Sequence, residues 1–183
     1  MRRALLLPLA MLAAAAGAAA SQPRTLDDFE SASRWTATAS DGVAASLSPV
    51  PGASGQALRL DYDFSKGSGY AVLRRELPLD LSGNFELRFK LRGEGAANAL
   101  ELKLVDASGD NVWWHRKADY VPPREWTSIR VKRRMVDFAW GPIADKTLRN
   151  VSGAWIQEQK VVVEKGKIIE YRVNMKVTFV LDD

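Results

Sequence analysis

Cysteine is absent from all 183 residues. That excludes disulfides, thiolate metal sites and cysteine nucleophiles together. Histidine occurs once, at His115, which removes most zinc constellations, since these usually need two or more such ligands. There is no Gly-x-Ser-x-Gly elbow, no phosphate loop and no His-Glu-x-x-His pair. Carboxylates are plentiful, but no spacing singles out two of them as an acid–base pair. The expectation is a protein that is not an enzyme. A strong excess of one charge is also missing. The formal charge is +4, and the basic residues are spread along the chain rather than gathered in a block, so nucleic acid is not an expected partner.

Long apolar runs are confined to the start. Arg2 and Arg3 precede an apolar stretch from Leu5 to Gly17, and Ala18-Ala19-Ala20 stands before Ser21. This is the pattern of a secretory signal peptide over residues 1–20, too short and alanine-rich to span a bilayer stably. Its removal lowers the formal charge to about +2. The expected product is secreted or periplasmic, without a membrane span.

What the chain does contain is alternation. Leu58, Leu60, Tyr62 and Phe64 alternate with Arg59, Asp61 and Asp63, and Phe85, Leu87, Phe89 and Leu91 with Glu86, Arg88 and Lys90. Period two marks strands with one face in a core and one in water. Between them Tyr70 to Leu77 reads as a strand closed by Pro78. Weak strand character covers Val43 to Leu47, and Pro49 to Gly55 reads as a loop. Further strands are expected at Ala99 to Val105, with Leu100, Leu102 and Leu104 inward, at Val112 to His115, and at Trp126 to Val131. Met135 to Trp140 reads as strand or loop. Asp106 to Asn111 reads as a hairpin turn. Seven or more short strands with turns between them give an all-β sandwich or jelly roll.

Residues 25–142 resemble a bacterial carbohydrate-binding module of the galactose-binding-like jelly-roll type. The likeness lies in the order of LDDFE, Trp35, GQALRLDYDF, GYAVLRREL, LDLSGNFELRFKLRG, LELKLVDASGDNVWW and EWTSIRV. It implies noncatalytic glycan binding, or a structural role beside an enzyme domain. Flat aromatic faces pack on sugar rings, with polar groups nearby for the hydroxyls. The candidates are Tyr70, Trp113, Trp114, Tyr120 and Trp140. Trp113 and Trp114 are neighbours on a strand, so one faces inward and one outward. His115 either bonds a sugar or sits neutral at the surface. The resemblance also implies a structural calcium ion where the termini meet, held by Asp27, Asp28, Glu30 and Asp182.

The tail differs. Ile169, Tyr171, Val173, Met175, Val177, Phe179 and Leu181 share one face, and Glu164-Lys165-Gly166-Lys167 reads as a turn. Residues 155–163 and 167–181 are therefore expected to form a long hairpin. Residues 145–183 closely resemble the C-terminal part of dodecin, a flavin-binding family. Lys146-Thr147-Leu148-Arg149 matches the end of its helix. That family stacks a tryptophan on the flavin and bonds it with a glutamine. The tryptophan position falls on Gly153, two residues before Trp155, and the glutamine position on Arg172. Both departures count against flavin, and an oligomer is expected only if this segment governs assembly. The chain thus reads as signal peptide 1–20, jelly-roll module 21–142 and dodecin-like segment 143–183. A natural fusion, a sequencing join and an engineered chimera would all read this way. The tail is expected to pack on the sandwich or complete it, with a loosely attached hairpin as the alternative.

Overall fold

The computed structural model describes residues 23–160, 171–176 and 180–181. The expected leader at 1–20, the expected turn at 164–167 and Asp182 lie outside these. The described strands are β1 (Arg24–Thr25), β2 (Thr36–Ala39), β3 (Ala44–Pro51), β4 (Gln56–Asp63), β5 (Gly69–Asp80), β6 (Glu86–Glu94), β7 (Asn98–Val105), β8 (Val112–Tyr120), β9 (Thr127–Lys132), β10 (Asp137–Trp140), β11 (Asn150–Lys160), β12 (Tyr171–Lys176) and β13 (Val180–Leu181). A six-stranded sheet has the order β10-β8-β7-β11-β5-β2, and a five-stranded sheet β3-β4-β12-β6-β9. The two form an all-β sandwich of jelly-roll type, as the alternation predicts.

The predicted inner faces meet between the sheets. Leu58, Leu60, Phe64 and Leu91 are fully buried, and Tyr62, Leu87 and Phe89 nearly so. They share one core cluster with Leu73, Leu100, Leu102, Leu104 and Ile156 of the facing sheet. Burying each such leucine contributes roughly 1.5–3 kcal/mol.

The tail completes the sandwich, but not as a hairpin. β11 lies in the six-stranded sheet, antiparallel to both β5 and β7. β12 lies in the other sheet, antiparallel to both β4 and β6. The two apolar strands are split because each sheet has a vacant central lane that a single strand fills, burying both of its edges. A hairpin would leave one lane empty. At the end of the chain β13 pairs with β1, which brings it beside the Asp27–Glu30 opening.

Two prolines sit inside strands rather than ending them. Pro78 lies in β5 where Leu77 and Pro78 oppose the single residue Ser152, a bulge that leaves the proline without a ladder bond to donate. Pro49 lies in β3, at an edge of its sheet, where one side needs no partner. β2, a short run of threonine and alanine, carries no large apolar residue and was not expected.

Candidate functional site

Residues directly opposite in antiparallel strands share a face. One row across the six-stranded sheet runs Thr36, Arg74, Trp155, Lys103, Trp114, Asp137. The next runs Thr38, Val72, Gln157, Glu101, Arg116. These rows face away from the core. They form a groove of about 550 Å³ lined by Thr38, Tyr70, Val72, Arg74, Lys103, Trp114, Trp140, Trp155 and Gln157.

Trp140 reaches this face through a bulge. Asp137 opposes Trp114 and Phe138 opposes Trp113, but the register then slips so that Trp140 opposes Val112. Strict alternation would turn Trp140 inward. The extra residue, Ala139, turns it outward, a common use of bulges. Its ring stands perpendicular to that of Trp114, with centroids 5.7 Å apart.

The floor is charged and dry. Glu101 is fully buried, and Lys103 nearly so. Arg116 Nε donates to Glu101 Oε1 at 3.0 Å. Lys103 Nζ lies 3.1 Å from Glu101 Oε2 and donates to Gln157 Oε1 at 2.6 Å. The same ammonium lies 4.8 Å from the ring centre of Trp140 and 5.7 Å from that of Trp114. The guanidinium of Arg74 covers Trp155 at 5.2 Å. Ammonium and guanidinium groups are drawn to the negative faces of indoles.

Of the residues predicted from sequence, Tyr70, Trp114 and Trp140 come together here. Trp155, singled out for flavin, joins them. Trp113 does not. It is the inward member of its pair, buried edge-on against Phe138, and its Nε1 donates to the Lys146 carbonyl at 2.8 Å. His115 also faces inward, two residues along from Trp113. Its Nδ1 donates to the Met135 carbonyl at 3.0 Å, and its ring borders a void of about 10 Å³ with Leu100, Leu102, Ile129 and Ile156. It is half-buried and does not line the groove. Tyr120 ends β8 and packs at the core margin, with the Lys117 ammonium 5.5 Å from its ring centre. Arg172 falls on β12, opposite Asp61 and Glu94, in the other sheet from Trp155. The two flavin candidates are therefore on different sheets.

The described acids of the opening each accept hydrogen bonds from within the chain. Asp27 is buried and accepts from Trp35 Nε1 at 2.9 Å, from Phe29 N at 2.7 Å and from Arg75. Asp28 accepts from Glu30 N at 3.2 Å, and Glu30 from Gln56 N at 2.9 Å. Among the described residues no three of His, Asp or Glu are grouped to hold a metal ion. Desolvation lowers the Arg75 pKa from its usual value.

No sequence pattern singles out Lys103, Glu101, Gln157 and Arg74 as site residues. In LELKLV the charged residues take the positions that alternation assigns to water. What covers them comes from β10 and β11, distant in the chain.

Comparison with known proteins bears on the fold. Residues 143–182 match the family model described as Dodecin. Over 105 residues the chain is 30% identical to a mannan endo-1,4-beta-mannosidase of Bifidobacterium adolescentis, a match covering 57% of this chain. The chain spans about a tenth of the length of that curated relative, which it matches over 10%. A solved family 11 carbohydrate-binding module from Clostridium thermocellum, in complex with a beta-1,3-1,4-mixed-linked tetrasaccharide, superposes with a TM-score of 0.67 at 19% identity, covering 89% of this chain and 96% of that one. An exo-beta-agarase superposes with a TM-score of 0.59 at 16% identity, covering 87% of this chain and 25% of that one. The fold is the jelly-roll β-sandwich of the family 11 modules, and its last two long strands lie in a dodecin-like segment.

Proposed function

We propose that this chain is a noncatalytic, exported module that binds a glycan along the outer face of its six-stranded sheet. One observation carries the reading. Trp140, Trp114, Trp155 and Tyr70 converge from four separate strands on one open groove, with Lys103, Gln157, Arg74 and Thr38 between them. Sugar rings need apolar platforms interleaved with hydrogen-bonding groups. Trp114 and Trp155 stand two strands apart, roughly 10 Å from the usual strand spacing, which suits stacking of sugar rings one disaccharide apart. The residues lining the groove include no Asp or Glu, so it presents no carboxylate pair for glycosidic cleavage. The tetrasaccharide held by the family 11 neighbour supports the same class of ligand.

The burial of the tail strands favours this reading over a dodecin-like flavin assembly. β11 and β12 each have partners on both edges, so neither offers an open edge for building a shell of subunits. The test is affinity electrophoresis of residues 21–183 through β-glucan, mannan and agarose gels, followed by calorimetry. Retardation by at least one polymer, lost in Trp114→Ala and Trp155→Ala, is expected. Unretarded migration in every gel and no heat with millimolar oligosaccharides would sink the proposal.

A further inference from the structure

We infer that the groove is built for an acidic glycan, one whose sugar rings carry carboxylates, rather than a neutral one. The inference rests on the glycan-binding reading above and specifies its ligand.

The row across the sheet alternates in chemistry as well as position: Trp114, Lys103, Trp155, Arg74. Platform and cation follow each other strand by strand, at about 4.8 Å per step. The charged residues lining the groove are Arg74 and Lys103, both cations. Beneath them Glu101 is fully buried and already committed to Lys103 and Arg116, and the exposed Asp137, at the end of the row opposite Trp114, is outside the groove lining. That cluster of one anion and two cations keeps a net positive charge. Arg74 adds another. It is exposed and forms no ion pair among the described residues. The adjoining cleft of about 450 Å³, lined by Arg34, Thr36, Arg74, Arg75 and Glu76, adds Arg34 against Glu76 and extends the row past Arg74.

The position of Arg74 matters more than its charge alone. Its guanidinium already lies over the indole of Trp155. A neutral sugar stacking there must push the cation aside and gains nothing for it. A uronate can pair its carboxylate with the guanidinium fork while its ring meets the indole, since the planar fork matches a carboxylate in two-point contact. Lys103 has three N–H donors. Gln157 takes one, and Glu101 Oε2 pairs with the ammonium at 3.1 Å without a hydrogen bond, which leaves donor capacity for a ligand beside the Trp114 and Trp140 rings.

The experiment compares ligands with one backbone. Calorimetry with cellotetraose and with the same β-1,4 tetrasaccharide oxidised to carboxylates at C6 isolates the charge. The acid is expected to bind about tenfold more tightly at low salt, the scale of one partly exposed charge-assisted pair. The gap should narrow as salt screens it. In Arg74→Gln the ratio of acid to neutral affinity should fall toward one, whatever happens to either affinity alone. A sulfated β-1,4 tetrasaccharide forms a third arm. Preference for sulfate with none for carboxylate overturns the carboxylate assignment. Equal affinity for acid and neutral forms, both lost in Trp114→Ala, overturns the inference and leaves glycan binding intact. Binding of none of the three, alongside failure of the gel panel, defeats the glycan reading itself.

Discussion

On the five-stranded sheet the outward cations stand in water, while the Glu86 carboxylate among them is only 11% exposed. Glu86 is ringed by Arg88, Arg130 and Lys132, whose side chains are 38%, 65% and 49% exposed. Arg92 lies over Trp126 at 5.0 Å, one cation on one ring. On the six-stranded sheet the same alternating pattern puts Glu101 and Lys103 outward, yet they are 0% and 7% exposed. Both sheets have polar outer faces in sequence. Only one has them roofed by large aromatics from neighbouring strands. An outward position is therefore not the same as a wet one, and the difference between the faces lies in what the flanking strands carry.

The largest perturbation would erase the contrast. Deleting residues 143–183 removes the central strand of both sheets at once. The remainder is expected to show no cooperative thermal transition by circular dichroism and to bind a hydrophobic dye. A folded, cooperative fragment would mean that β11 and β12 are accessories.

Glutamate substitution measures the contrast directly. Glu101→Gln leaves Lys103 buried and Arg116 half-paired, and should cost about 3–5 kcal/mol in urea unfolding. Glu86→Gln leaves its cations in water and should cost about 1 kcal/mol or less. Equal costs would show that the roof over Glu101 is open to solvent.

Tryptophan substitution applies the same comparison to ligand binding. Trp114→Ala should weaken glycan binding by about tenfold or more, the scale of a stacked ring contact of ~1.5 kcal/mol. Trp126→Ala, on the other sheet, should leave affinity within about twofold. The reverse ranking would move the site to the other sheet.

Acid gives the smallest effect. A hydrogen bond from Arg88, working against desolvation and aided by Arg130 and Lys132, holds the Glu86 carboxyl below the usual range. Its folded pKa is lowered, so its contribution is present above the ordinary carboxylate value of about 4.3 and is lost as pH falls through the folded value. Wild type should lose slightly more stability than Glu86→Gln between about pH 5 and pH 2, read from paired denaturation curves.

The inner faces were legible because alternation reports burial on a single side. Leu58, Leu60, Phe85, Leu87 and Leu104 needed no partner to be placed. The outer faces were less so. Adjacency established that Trp113 and Trp114 point oppositely, but only the register with β10 shows which is which. Trp140 depended on a bulge at Ala139 that no residue pattern announces. Trp155 was named through the likeness to a flavin-binding segment, which set it beside Arg172, a residue that lies on the other sheet. Its companions Arg74 and Lys103 reach it only because β11 enters the sheet between β5 and β7. The hairpin expectation failed for the same reason: two apolar strands close in sequence need not be each other's partner when each sheet has a lane to fill.

That the middle strands come last in the chain has a kinetic consequence. β4, β5, β6 and β7 are all synthesised before β11 and β12, and until then neither sheet can close its hydrogen-bond ladders. Each late strand must find partners far back in the chain, so loop closure is costly and the search slow. The sandwich is therefore expected to fold only once both late strands have been made. The waiting chain exposes unpaired edges to other chains and to chaperones.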